Sequence, residues 1–449
     1  MKIRVINIVR GLSLLVLLSV TQTTIHAQRK QWTLDECIAY ALEHNINIQQ
    51  RALDIKKSEV KLETSSNAWL PEVNARLGEQ FSFGNYNSTT GSMTGSLVSD
   101  NNDLAYTTGT ISATMNLFDG GKVKNQERAD RYSLEASNAY LAKARKDVDI
   151  NIAISFLDCL CKKSMVDVAR AQLEVSQKLC QRAATLVEEG KRPISELKDV
   201  EASVASDEYT LTKANGDFVL SLTELAQMLN LPSADDFDVA PIDESSAILT
   251  SIDYDSVIER WPSVVAAKSS IEASKAQVKV ARSGYYPTLY FEGYLKSYYV
   301  NMFHTDIGWG GFGKQFFDKN LNEVVGLHLS IPIFNRFQTR SNIRTAKLNL
   351  VEQQLALDDA RQNMRTEIQK AYTNVKVAFD KMGSAQKAVD AAAVSVSFEQ
   401  DRYDAGRSSV FDLINAQQKH LKASQDAVQA KYEYLIRQRV LDTLVKLDS

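Results

Sequence analysis

Two stretches of this chain repeat one another at a single spacing. Trp69-Leu70-Pro71 is answered by Tyr285-Tyr286-Pro287, and Met115-Asn116-Leu117-Phe118 by Ile331-Pro332-Ile333-Phe334. Glu189-Gly190-Lys191 is answered by Ala405-Gly406-Arg407, Leu197 by Leu413 and Leu225 by Leu441; every pair lies 216 positions apart. One offset held over most of each half means equal element lengths in both, as in a duplicated gene. The period is too long for a solenoid unit. The chain therefore reads as a first repeat over 28–230, an acidic linker over 231–250 holding two of the seven prolines, and a second repeat over 251–449.

Most of each repeat is helical in pattern. In the second, Ile368, Val375, Met382, Val389, Val396 and Tyr403 recur every seven residues, and Ala371, Ala378, Ala385 and Ala392 follow by three. That is the a/d seam of a coiled coil. The first repeat carries Ile152, Cys159, Val166, Leu173, Cys180 and Val187, then after Gly190 Leu197, Val204, Leu211, Phe218 and Leu225. Long helices are predicted over about 122–189, 193–229, 338–405 and 409–447. At 1.5 Å per residue the first is about 100 Å long, too long to bury one face within a small globule, so it packs along a partner. Thr33 is a good N-cap for an earlier helix whose first turn holds Asp35 and Glu36. A second helix runs on toward Trp69, where Pro71 stops it.

Between the helices the period changes to two. Val73, Ala75, Leu77, Phe81 and Phe83 alternate with Asn74, Arg76, Gln80 and Ser82; Ile111, Ala113, Met115 and Leu117 alternate with Thr110, Ser112, Thr114 and Asn116. The second repeat does the same with Leu289, Phe291, Gly293 and Leu295, then Leu327, Leu329, Ile331 and Ile333. This predicts strands at about 72–84, 105–118, 287–300 and 323–334. Nineteen glycines and seven prolines are too few for a disordered or loop-rich chain of this length.

The N-terminus reads as a secretory signal. Lys2, Arg4 and Arg10 form a basic region, Gly11–Val20 a short apolar one, and Ile25-His26-Ala27 offers a small residue for cleavage after position 27. No later segment holds about 18 consecutive apolar residues, so no transmembrane helix is expected. Removing the three basic residues takes the net charge from −3 to −6, which leaves no compositional case for nucleic acid.

Four strands of about ten residues, apolar on one face and polar on the other, suit an outer-membrane barrel. Four cannot close one, since about eight is the practical minimum, and lipid tolerates no open edge. Two or more chains must contribute.

The chain resembles the TolC-like outer-membrane efflux protein family over nearly its whole mature length. The residues that carry the likeness are Trp32-Thr33-Leu34-Asp35-Glu36, Ala41-Leu42-Glu43-His44-Asn45, Asn116-Leu117-Phe118-Asp119-Gly120-Gly121 and Ile331-Pro332-Ile333-Phe334. The most specific run is Tyr403-Asp404-Ala405-Gly406 leading into Val410-Phe411-Asp412-Leu413-Ile414-Asn415-Ala416-Gln417. The resemblance implies an α+β membrane protein: a homotrimer whose 12-stranded outer-membrane β-barrel, four strands per chain, continues into a long α-helical coiled-coil barrel. It implies the outer membrane of a Gram-negative cell as location, extending into the periplasm. It implies a passive conduit in a tripartite efflux or type I secretion system, with a periplasmic adaptor (membrane fusion) protein, an inner-membrane pump of RND, ABC or MFS class and outer-membrane lipid as partners. No enzyme activity, cofactor or metal is expected. The cargo is not named.

By the same resemblance the adaptor-contacting tips fall on Gly190, Lys191, Gly406 and Arg407. Gly at those positions also suits a left-handed helix end. Asp412 aligns with an acidic residue that rings the family's periplasmic entrance, and Ser409 with Asp412 makes a capping-box-like pair as well. The second ring carboxylate falls on Asn415, so the ring is less acidic here. Tyr403 and Glu196 align with the closing network. The arginine that joins them in the family falls on Ser408, and Arg407 or Arg192 is the candidate replacement.

Other motifs carry less. Gly308-Trp309-Gly310-Gly311-Phe312-Gly313 matches G-x-G-x-x-G but lies between two strands, not before a helix of a βαβ unit. It reads as an outer loop, aromatic at the membrane interface. Ser195 and Lys198 form S-x-x-K without its partner motifs and read as solvated coil residues. The histidines at 44, 304, 328 and 420 show no metal-binding spacing. Cys159 and Cys180 sit at seam positions, and Cys161 and Cys180 are nineteen residues apart, about 28 Å on one helix; no disulfide is expected among the three. The competing reading is a periplasmic or secreted coiled-coil interaction protein without a pore, which would not need four strands with an apolar outer band.

Overall fold

The computed structural model describes residues 30–83, 103–234, 237–242, 253–303 and 308–446. The signal segment, most of the polar stretch after Phe83, His304 and half of the linker lie outside them. The described residues form two compact units, one within Met1–Ala52, Tyr140–Pro262 and Arg361–Ser449, the other within Leu53–Ala139 and Ser263–Ala360.

In the first unit, α1 (Leu34–His44) begins at a capping box. Thr33 Oγ1 accepts from the Glu36 amide at 3.3 Å, and Glu36 Oε2 accepts from the Thr33 amide at 2.8 Å. Asn45 separates it from α2 (Ile46–Ser66) and accepts from the Asn47 amide at 2.9 Å. Cys37 and Ala41 of α1 pack on Ile152, Phe156 and Cys159 of α3 (Lys122–Glu188) and on Leu222 and Leu225 of α4 (Ile194–Met228). A two-stranded parallel sheet closes this core. It joins β1 (Lys30–Trp32) to β4 (Phe237–Val239), and Phe237 and Val239 are buried in it. The segment expected as a plain linker therefore contains a strand. One of its acids is structural: Lys163 Nζ of α3 meets Asp238 Oδ2 at 2.8 Å and the Val239 carbonyl at 3.1 Å.

Past α5 (Tyr254–Arg260) and α6 (Pro262–Ser283) the 216-residue offset recurs in the elements. Helix α3 and α8 (Gln338–Asp404) have 67 residues each. Helix α4 starts at Ile194 and α9 (Val410–Val445) at Val410. The seam is only partly covered within one chain. Ile368, Ala371, Val375, Ala378 and Tyr403 are buried, whereas Met382, Val389 and Val396 are half-exposed. In α3 the series starts buried at Ile152, Cys159 and Val166, but Leu173, Cys180 and Val187 are half-buried. The covered residues there are Ala169, Ser176 and Ala183, three positions after Val166, Leu173 and Cys180. A 3.6-residue helix drifts about 20° per heptad against a strict seven-residue series, which carries such a series off the contact line.

The second unit holds a four-stranded antiparallel sheet of β2 (Glu72–Ser82), β3 (Leu104–Phe118), β5 (Thr288–Met302) and β6 (Asn322–Ser330), in the order β2-β3-β5-β6. Its register sets Leu77 against Gly109 and Ser297, and Ala75 against Ile111, Leu295 and Glu323. Val73, Leu77, Ile111, Leu295, Val325 and Leu327 thus share one face, and Leu77 on it is 82% exposed. Asn74, Arg76, Thr110, Glu292, Lys296 and His328 share the other. Strand β6 stops at Ser330, short of the expected 334, because Pro332 has no amide to donate. Among the described residues β2 and β6 each have a single neighbour, so both edges are open. The glycine-rich stretch is not a plain loop: it contains a helical turn, α7 (Phe312–Lys314), that runs into a π turn over Gln315–Lys319.

Candidate functional site

Both long helices end in the same turn. The Gly190 amide donates to the Val187 carbonyl and the Lys191 amide to Leu186, each at 2.9 Å. At the equivalent end the Gly406 amide donates to Tyr403 at 3.0 Å and the Arg407 amide to Arg402 at 2.8 Å. These are Schellman ends, which need a left-handed residue after the cap. Gly190 and Gly406 supply it at φ 68° and 67°. A Cβ at either would meet nothing within 4 Å, so backbone conformation alone requires glycine.

The two turns are tied by Arg192. Its Nη1 meets Glu196 Oε1 at 3.3 Å, its Nη2 donates to the Tyr403 carbonyl at 3.3 Å, and its guanidinium carbon stands 4.9 Å from the centre of the Tyr403 ring. Tyr403 of α8 is 2% exposed and packs among Leu179, Ala183, Val200, Val410 and Leu413, from the other three long helices. Burial first, and then the Glu196 carboxylate, push its phenol above the ordinary value; Arg192 and Arg182 pull the other way. The Tyr403 hydroxyl, Glu196 Oε2 and the Ser408 hydroxyl are enclosed without a hydrogen-bond partner among the described residues. A second tie joins Arg182 Nη1 to Asp404 Oδ1 at 2.9 Å.

The remaining candidates lie outward. Lys191 is exposed and pairs with Glu189 at 2.7 Å. Arg407 is exposed, and its side chain makes no bond among the described residues, so of the two candidate arginines Arg192 is the one that contacts Tyr403 and Glu196. Asp412 is exposed and completes a capping box with Ser409. Its Oδ2 accepts from the Ser409 hydroxyl at 2.7 Å and amide at 3.3 Å, which holds its carboxyl below the ordinary value. Asn415 is exposed one turn on. Pro193 is the N-cap of α4 and has no side chain to cap with.

Nothing in the sequence marks Arg182, and Asp404 is marked only as part of the run that carries the family resemblance. Asp207 does carry a signal: it stands three residues after Val204, on the seam. It is 2% exposed and is held by the side-chain amides of Gln172 at 3.2 Å and Gln418 at 3.3 Å.

All four cysteines are free thiols. Burial pushes Cys37 and Cys159 up to about 12 and Cys161 up to about 11. Among the described residues there is no group of three or more His, Cys, Asp or Glu placed to hold a metal. No described helix is long and apolar enough to cross a membrane.

The family model for outer membrane efflux proteins matches twice, at residues 37–231 and 254–445, once on each repeat. The outer membrane protein TolC of Escherichia coli is 25% identical over 180 residues, 39% of this chain and 36% of that protein. Protein CyaE of Bordetella pertussis is 24% identical over 344 residues, 74% of this chain and 69% of that protein. Among solved structures, CusC superposes with a TM-score of 0.77 at 15% identity, covering 92% of this chain and 91% of CusC. The outer membrane protein VceC of Vibrio cholerae gives 0.74 at 18% identity, covering 92% of this chain and 95% of VceC. These structures share its fold. The chain belongs to the outer membrane efflux protein family, the outer-membrane channels of efflux and type I secretion systems.

Proposed function

We propose that three copies of this chain form the outer-membrane conduit of a tripartite exporter. The observation that carries this is the four-stranded sheet, with one apolar face exposed and both edges open. Lipid accepts that face but neither edge, so the edges must meet other copies. Three copies supply twelve strands, the number the family resemblance implies. The half-exposed seam of α3 and α8 would be covered by the same association.

The conduit is passive, and a partner inner-membrane pump, of RND, ABC or MFS class, supplies the energy. The helix turns at Gly190-Lys191 and Gly406-Arg407 are the adaptor contact, since they carry exposed backbone and cationic side chains. Arg192, Glu196 and Tyr403 form a latch at the periplasmic entrance, and Asp412, once per chain, adds a carboxylate ring to it. The enclosed oxygens of Tyr403, Glu196 and Ser408 are sites that a neighbouring copy or an alternative state can pair.

Conductance across planar bilayers tests this. Arg192→Ala is expected to open the entrance and raise single-channel conductance several-fold. Equal conductance in both proteins would remove Arg192 from the latch.

A further inference from the structure

Strand β5 is longer than its neighbour, and the excess is finished in an unusual way. Strand β6 covers β5 only from Thr288 to Lys296, while β3 follows the other side as far as Met302. Beyond Lys296 one edge of β5 has no strand beside it. Two side-chain amides take that place. Gln315 Oε1 accepts from the Val300 amide and its Nε2 donates to the Val300 carbonyl, both at 3.1 Å. Asn320 Nδ2 donates to the Tyr298 carbonyl at 2.8 Å. Gln315 is 2% exposed and also holds the Gly310 carbonyl at 2.8 Å, which closes the turn on itself. The Ser297 hydroxyl donates to the Phe316 carbonyl.

These bonds lay the turn on the apolar face of the sheet. Phe316 sits over Gly109, where a Cβ would come within 2.6 Å of its ring. Gly109 is paired with Leu77 and Ser297, so this is the apolar side. Phe312 stacks on Phe316 at 4.9 Å and meets Tyr299 edge-on at 5.2 Å, and Phe317 meets Phe316 edge-on at 5.3 Å. The cluster still presents apolar surface outward: Phe312 is 44%, Phe317 68% and Leu321 46% exposed. On that face Glu79 of β2 lies in the row of Thr107 and Tyr299, level with the cluster, and Glu323 of β6 lies in the row of Ile111 and Leu295.

We propose that Gly308–Leu321 is a lipid anchor, which seats Phe312, Phe317 and Leu321 at the boundary between acyl chains and headgroups of the outer leaflet. The proposal rests on the reading of the sheet as part of a membrane barrel. The occupant is bilayer lipid because the cluster continues the apolar face without a break. Aromatic rings favour that boundary. A turn with irregular backbone cannot lie deeper in hydrocarbon, and the amides of Gln315 and Asn320 satisfy the β5 edge at the level where the hydrocarbon ends.

The test is Phe317→Trp in full-length protein reconstituted into phosphatidylcholine vesicles brominated either near the carbonyl or near the chain terminus. The added emission, taken as the difference from unaltered protein, is expected to fall at least twofold with the first lipid and less with the second. No quenching by either lipid, with the protein inserted, would overturn the anchor and place the turn in water or against another copy. Leu321→Trp is an independent reporter and should follow the same order. Protein that fails to insert at all would overturn the barrel reading, and the anchor with it.

Discussion

Arg192 and Tyr403 stand 211 positions apart and touch: the guanidinium carbon is 4.9 Å from the ring centre, and Nη2 donates to the Tyr403 carbonyl at 3.3 Å. That carbonyl also accepts from the Gly406 amide and is part of the helix end itself. The contact thus joins the turn of the first repeat to the turn of the second. A flat cation does this well, since it can stack and donate in two directions at once.

Arg192→Lys should therefore behave almost like Arg192→Ala. A lysine keeps the charge beside Glu196 but loses the planar stacking and the fork that reaches Glu196 and the Tyr403 carbonyl from two nitrogens. Either change is expected to cost about 1–2 kcal/mol in this half-buried setting. Hydrogen exchange at Tyr403–Arg407 reads the loss, and a lysine variant with unaltered protection would contradict it.

Gly190→Ala and Gly406→Ala should each destabilise a helix end by about 1 kcal/mol, because the left-handed backbone is costly for a residue with a Cβ. Asn tolerates that conformation better, so Gly→Asn should cost less. Thermal unfolding of the four variants gives the order, and equal effects from Ala and Asn would argue against a conformational cause.

Substitution separates the capping role of Asp412 from the ring role proposed for it. Asp412→Asn keeps an acceptor oxygen for Ser409 but removes the charge, so cation selectivity should fall while the start of α9 stays protected from exchange. Asp412→Ala should lose both. The lowered carboxyl means that the stabilisation is present above the ordinary value of 3.8 and is lost as pH falls through the folded value. Unchanged selectivity in Asp412→Asn would leave only the capping role.

The buried thiols predict an alkaline weakness. Cys37 and Cys159 are raised from 9.0 to about 12, so their neutral forms are favoured in the folded protein. Their contribution is complete below pH 9.0 and is lost as pH rises through about 12. Denaturant midpoints should drop over that window, and Cys37→Ala with Cys159→Ala should flatten the drop. A midpoint independent of pH there would count against burial of both thiols.

The repeat and the strand alternation were legible because each is a long-range regularity fixed by backbone period. The offset reappears in Gly190 and Gly406 down to their hydrogen bonds. Contacts that depend on which long helices face one another were less legible. Arg192 could be set beside Arg407 as a candidate, but only packing chose between them. Strand β4 was hidden because three residues, Phe237–Val239, are too few to show a period. The turn at Gln315 was hidden because side-chain amides that replace a strand leave no pattern at all. Asp207 was readable as an acid on the seam; its Gln172 and Gln418 partners lie on other helices.

Copies of the same chain are proposed to close the open sheet edges in the outer membrane. Detergent extraction of the mature protein followed by native mass measurement and negative-stain imaging tests it most directly. Three chains per particle are expected, with a detergent belt at one end and a helical extension at the other. A monomer that stays in solution without detergent would contradict it.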